Sequence, residues 1–351
     1  MNNPELFNSS VALTKEVHKI LSASINQNLV LITENCWVKA EDGRFIRKEV
    51  SKPIWAIILN KLANELMATN EYSEFLKNLK SNCFVSSQLN NLVGTMLGGI
   101  RFDTFNFVSS FLKPFLTNEG LKPFDEIVFK AEYQKIENSL HAKEIEFERT
   151  TPICGFSTDI SEIQLDNNLS IVKLTDSEII ELLNLGVRIG DNFGPNNVVF
   201  SENSFAIKFV FRLPKIIGES NEKHKVDQFR HILSKSQEQK VINSLRVFKQ
   251  GKFFVQGSIT KSRGLFNQGI RYNYGPQSES LLFDEFKILD EERDKFKEFF
   301  HGFSSAAVAN KNYLAVAIRR FSQSIERPDL EDRIIDLLIC AEAFFLSSGG
   351  T

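Results

Sequence analysis

The chain has 351 residues, with 42 Lys+Arg against 44 Asp+Glu and a formal net charge of -2, so no chain-wide basic field marks it for nucleic acid and only a local patch would do so. Hydrophobic residues make up 42% and charged residues 25%, the balance of a globular protein, and the length predicts two or three domains. The apolar run "IWAIIL" at 54–59 is far too short to span a bilayer, and the opening "MNNPELFNSSVALTKEV" lacks the basic start and apolar centre of a secretion signal.

Phe is abundant, 32 residues against 5 Tyr and 2 Trp. A Phe ring carries a large apolar area and no polar handle, so most of these rings are expected in cores rather than on a binding platform. The four cysteines, Cys36, Cys83, Cys154 and Cys340, form no Cys-x-x-Cys pair and no zinc-type set with His. Scattered single thiols suit a reducing cytosol, and no metal or cofactor is expected.

Residues 1–143 read as a mainly helical region of unassigned role. "KPIWAIILNKLANELMA" puts Ile54, Ile58, Leu62 and Leu66 on one stripe, with Pro53 at the helix start. "EYSEFLKNLK" and "FDEIVFKAEYQKIENSL" repeat that spacing. Between them Gly94, Gly98 and Gly99 interrupt "NNLVGTMLGGIRF", marking a hinge or tight packing.

The pattern changes at 144, opening a β-rich segment over 144–220. "KEIEFER" alternates as a half-buried strand does. "SEIQLDNNLSIVKLTDSEIIELLNLG" predicts a strand, an Asp-Asn-Asn turn, a second strand, and a helix capped by Thr175 with Glu178 three residues on. "NSFAIKFVFRLPK" is a further strand, closed by Pro214.

Helix is expected again over 221–351. "VDQFRHILSKSQEQKVINSLRVF" is helical, and "KFFVQGSITKSRGLFNQGIRYNYGP" is extended and looped, a hairpin with packed Phe more than a nucleic-acid surface. "EFKILDEERDKFKEFFHGF" reads as one charged amphipathic helix. A helical hairpin follows. Its first arm carries Leu314, Ala317, Ile318, Phe321 and Ile325 on one face. Pro328 breaks the chain and Asp329 caps the second arm, with Asp332 at the capping-box position. Ile334, Leu337, Leu338, Ala341, Phe344 and Phe345 then form a wide apolar face, and Gly349 and Gly350 are good stop residues. Two such helices must bury both faces, on the upstream helices or on something outside these residues.

The stretch "LAVAIRRFSQSIERPDLEDRIIDLLICAEAFFLSSGGT" resembles the opening of an Apea-like HEPN domain. The resemblance rests on Ala317, Ile318, Arg320 and Phe321 in the first helix and on Asp332, Arg333, Ile335, Asp336 and Glu342 in the second. It is specific over 313–347 and implies a partial HEPN helical bundle over about 283–351. It also implies a host-defence protein that cleaves RNA without metal, commonly as a dimer. The family's catalytic signature, Arg then four to six residues then His, is missing: His18, His141, His224, His231 and His301 have no Arg at that spacing. The expectation is therefore a HEPN domain whose catalytic half is absent from these residues. An inactive chain that docks a partner protein through its helices is the alternative.

The residues carrying chemistry follow. Glu342 has Ile335, Leu338, Ile339, Phe345 and Leu346 as helical neighbours. A carboxylate there is expected to be partly desolvated, either orienting a site or bonded to a neighbouring helix. Arg319 and Arg320 are candidate RNA-phosphate contacts or ordinary solvated arginines. Asp332 and Asp336, one turn apart, read as a solvated face near a helix N-terminus. His224, Asp227 and His231 share a helix face but lack a third ligand, so no metal site is drawn from them. The overall expectation is an α+β protein, mainly α, cytoplasmic, spanning no membrane, with RNA, a second copy or a partner protein as its candidate partners.

Overall fold

The computed structural model describes residues 3–28, 31–53, 55–88, 91–95, 98–102, 104–119, 122–186, 204–217, 237–251, 253–255, 257–262, 269–273, 286–305, 311–327 and 329–346. The protein is mixed α+β with more helix than strand and a helical C-terminal region.

The N-terminal region is built from α1 (Pro4–Asn28), α2 (Trp55–Met67), α3 (Asn70–Ser81), the single turn α4 (Cys83–Ser86), α5 (Thr104–Glu119) and α6 (Glu126–His141). Each packs an apolar stripe inward. Ile58, Leu62 and Leu66 of α2 are buried as their spacing predicts, in one core with Leu13 and Val17 of α1 and Phe75 and Leu79 of α3. Pro53, expected to start α2, instead ends a strand. Fifteen of the described Phe residues are buried, while Phe84, Phe344 and Phe345 are exposed. Phe129 sits at ring-centroid distances of 5.6–6.1 Å from Phe7, Phe111, Phe115, Phe124 and Tyr133, within the range where aromatic pairs attract beyond their buried area.

Two strand pairs interrupt these helices, so the mainly helical expectation misses them. β1 (Leu31–Lys39) and β2 (Phe45–Pro53) form an antiparallel ribbon, turned at Gly43 with φ 83°, a conformation that glycine adopts without strain. β3 (Asn91–Thr95) and β4 (Gly98–Phe102) are antiparallel, with Gly94 facing Gly99. Of the glycines read as a hinge or tight packing, Gly94 and Gly99 thus lie opposite one another across the strand pair, and Gly98 faces Thr95.

Next come β5 (Glu144–Ile153), β6 (Phe156–Thr158), β7 (Glu162–Asp166), β8 (Leu169–Lys173), α7 (Asp176–Asn184), β9 (Phe205–Pro214) and β10 (Ile216–Ile217). The α7 cap is as predicted: Thr175 Oγ1 accepts from the Glu178 backbone and Glu178 returns to the Thr175 N–H. Then follow a helix α8 over 237–248, β11 (Gly257–Ser262), β12 (Gly269–Asn273), β13 (Phe286–Ile288), α9 (Arg293–Phe303), α10 (Asn312–Glu326) and α11 (Leu330–Leu346). Six strands make one sheet in the order β12-β11-β5-β9-β8-β7. It crosses the boundary expected near residue 220, since β11 pairs with β5 and β12 with β11. The helix expected from Glu285 begins only at Arg293. Before it, Phe286 and Ile288 are buried and Lys287 is exposed, a two-residue period that places β13 parallel to β6.

One face of the sheet packs on α8 and α9 through Val241, Ile242, Leu245, Phe296 and Phe300. The other packs on α7 and the β1–β2 ribbon through Leu174, Ile179, Leu182, Leu183, Trp37 and Phe45. None of the described residues from Asn312 onward belongs to any of these three cores.

Candidate functional site

The helical hairpin α10–α11 holds every residue that carries the HEPN resemblance. Asp329 caps α11 as expected, its Oδ1 accepting from the backbone N–H of Glu331 at 2.8 Å and of Asp332 at 3.4 Å. The two arms pack on each other, so Leu314, Ile318, Phe321 and Ile325 are half-buried.

At the centre lies Asp336. Expected on a solvated face, its side chain is only 3% exposed. Arg320 of α10 donates through Nη1 to its Oδ1 at 2.8 Å, and Arg327, in the turn, donates through Nε to its Oδ2 at 3.3 Å. The correction has a geometric reason. The side of α11 that carries Asp336 faces α10, and an acid there meets arginines 16 and 9 residues back in the chain. The Arg320 hydrogen bond, reinforced by Arg327 against the opposing effect of burial, holds the Asp336 carboxyl below its ordinary range. Arg327 also reaches Asp332 at 3.8 Å, and Arg333 donates to the Arg327 carbonyl at 2.6 Å. One carboxylate thus fixes two guanidinium planes, and the turn is stitched by a third arginine.

Arg320 is therefore not an ordinary solvated arginine. Its side chain is 31% exposed and its buried Nε has no hydrogen-bond partner among the described residues. Arg319, beside it, points to solvent. Glu342 departs from expectation in the opposite direction: it is exposed. Of the apolar neighbours expected to desolvate it, Ile335, Leu338 and Phe345 are uncovered too and Ile339 is half-buried. Leu330 is 68%, Leu338 64%, Phe344 52% and Phe345 71% exposed, with Ile334, Ile335 and Leu337 also on the surface. Glu331, Asp332 and Glu342 rim that surface.

The described histidines, His18, His141 and His301, do not gather here. His141 stacks on Phe84 at 4.3 Å, and His301 lies edge-on to Phe300. His18 is half-buried on α1. His224, Asp227 and His231 lie outside the described residues. Among the described residues no group of three His, Cys, Asp or Glu could hold a metal ion, and no helix is long and apolar enough to cross a membrane.

Sequence reasoning passes over Arg327, Arg246 and the pair Arg149–Glu238. Arg327 had one available signal, a turn arginine beside Pro328. Arg246 is 4% exposed, lies over the Phe253 ring at 5.6 Å and meets Glu326 of α10 at 2.7 Å. Arg149 on β5 and Glu238 on α8 form a buried ion pair. No periodicity foretells those two.

No protein-family model, no curated protein and no solved structure matches the chain.

Proposed function

We propose that α10–α11 is the pairing half of an Apea-like HEPN-type bundle, in a cytoplasmic host-defence protein directed at RNA. Its immediate activity is to complete its helical bundle against a second copy or a helical partner protein. The observation that carries this is the exposed apolar face of α11, set on a hairpin already fastened by Asp336 between Arg320 and Arg327. A contiguous surface of this kind marks an interaction site. The scattered single thiols Cys36, Cys83, Cys154 and Cys340 suit the proposed compartment.

RNA cleavage by these residues alone is not part of the proposal, because they contain no Arg-x4-6-His spacing. A histidine serving as general acid–base and an arginine stabilising phosphorane charge would come from elsewhere in the assembly. Arg319, with Arg320 behind it, is the candidate phosphate contact.

A second reading, a docking protein that never meets RNA, draws on the acidic rim. Glu331, Asp332 and Glu342 beside the apolar face repel phosphate, and Arg320 is already engaged by Asp336. The deciding experiment measures mass in solution by light scattering, with and without a single-stranded RNA in EDTA. Assembly plus RNA retention supports the defence reading. Assembly without RNA retention leaves the docking reading, and a monomer that ignores RNA ends both.

A further inference from the structure

We infer that the α10–α11 hairpin is a displaceable module, held to the body of the protein by a polar clasp on α8. Among the hairpin's described residues the buried side chains are Ala317, Ser322, Ser324 and Asp336, all small or polar. None of the described residues of the hairpin enters an apolar core. An element of 35 residues that belongs to a cooperative fold ordinarily contributes large apolar side chains to it; the count is the span from Asn312 to Leu346.

Among the described residues, what joins hairpin to body is a cluster of polar contacts. Ser322 donates to Asn243 Oδ1 at 2.6 Å. Arg246 donates through Nη1 to the Ser322 carbonyl at 3.4 Å, and its Nη2 lies 2.7 Å from Glu326. Asn243 and Arg246 are three residues apart on α8 and so address the same strip of α10. The clasp is asymmetric. The Arg246 side chain is 1% exposed and that of Glu326 40% exposed, so water competes for the carboxylate but not for the guanidinium.

α8 itself is anchored. Val241, Ile242 and Leu245 sit in the core against the sheet, and Glu238 pairs with Arg149 on β5. Arg246 is further held over Phe253. The body therefore keeps its half of the clasp when the hairpin leaves. Polar seams of this type are typical where parts of a chain move relative to each other. Release uncovers the Asn243–Arg246 strip and the Ser322 side of α10, surfaces hidden while the clasp is closed. The consequence is regulatory: whatever binds either half of the clasp controls where the α11 face is presented.

The inference does not depend on RNA or on pairing, and its test uses neither. Hydrogen–deuterium exchange followed by mass spectrometry compares the full chain with E326Q and with the double variant N243A/E326Q. Neither residue lies in an apolar core, so the body should fold as before. The expected result is exchange over 314–345 faster by at least about tenfold in the double variant, with β5, β9 and α6 unchanged. Two outcomes overturn the inference. Hairpin exchange unmoved by the double variant would mean the clasp holds nothing. Equal acceleration in the hairpin and the sheet would mean that the two open as one unit.

Discussion

Arg149 on β5 and Glu238 on α8 meet at 2.8 Å with 2% and 4% of their side chains exposed. Taking two charges out of water is costly, and only close geometry repays it. Replacing Glu238 by Ala strands a buried guanidinium. The expected loss is about 3–5 kcal/mol, read as a lower urea midpoint at unchanged slope. Replacing both residues by Leu should recover most of it, because the pair itself contributes little beyond what apolar packing would.

The ring cluster around Phe129 is the densest part of the N-terminal core. Phe129→Ala removes contacts to five rings at once and is expected to cost about 3–5 kcal/mol. Phe129→Leu should cost clearly less, since it leaves a smaller cavity. Thermal unfolding by circular dichroism measures both.

Asp336 gives the hairpin an acid sensitivity. Its folded pKa lies below the ordinary carboxylate value, chiefly through Arg320. Between those two values the unfolded state binds more protons than the folded one, so stability is present above the unfolded pKa and is lost as pH falls through the folded one. Protection over 314–345, taken relative to the intrinsic exchange rate at each pH, should therefore fall below about pH 4, and Asp336→Asn should weaken this pH response while loosening the hairpin at neutral pH.

Lys215 behaves in the opposite sense. Burial pushes its ammonium down to about 8, while it donates to the Ser139 and Leu140 carbonyls at the end of α6. A lysine with a lowered folded pKa destabilises the fold while charged. Stability contributed at this site should rise as pH climbs from about 8 toward the unfolded value near 10.5. Urea midpoints of the protein and of Lys215→Met, compared across that range, should converge as pH rises.

The exposed face of α11 allows a surface test. Ile334→Ser with Leu338→Glu should leave the melting temperature of a monomer nearly unchanged, within about 0.5 kcal/mol per site. The same double variant should abolish any assembly seen by light scattering. A large loss of thermal stability at low concentration would mean that these side chains are covered within one chain.

Which parts of this architecture were legible follows from how far each signal reaches. The Thr175–Glu178 cap, the β7–β8 turn and the two arms of the C-terminal hairpin are specified by residues within a few positions of one another, so sequence patterns disclose them. The β1–β2 ribbon is not. Trp37 and Phe45 find their apolar partners on α7, and Lys39 finds its charge partner in Asp176, so nothing local announces the strands. The site divides in the same way. The Asp329 cap is legible from its position. The burial of Asp336 is not, because it depends on Arg320 and Arg327 closing over it once the hairpin has formed. Glu342 fails for the converse reason: helical spacing gives its neighbours but not whether anything covers them.

The seating of the ribbon has a consequence for the order in which the chain takes shape. The backbone N–H of Trp37 donates to Asn184 Oδ1, 147 residues later. At ordinary synthesis rates, that stretch takes roughly 7–30 s to emerge. Throughout that interval the indole of Trp37 has its β2 neighbours Phe45 and Arg47 but lacks the α7 side of its seat, while Trp55, in the N-terminal core, can already find its own. The two tryptophans are thus natural clocks for early and late events. A chain arrested before α7 is complete should show one quenched, blue-shifted indole and one still partly in water.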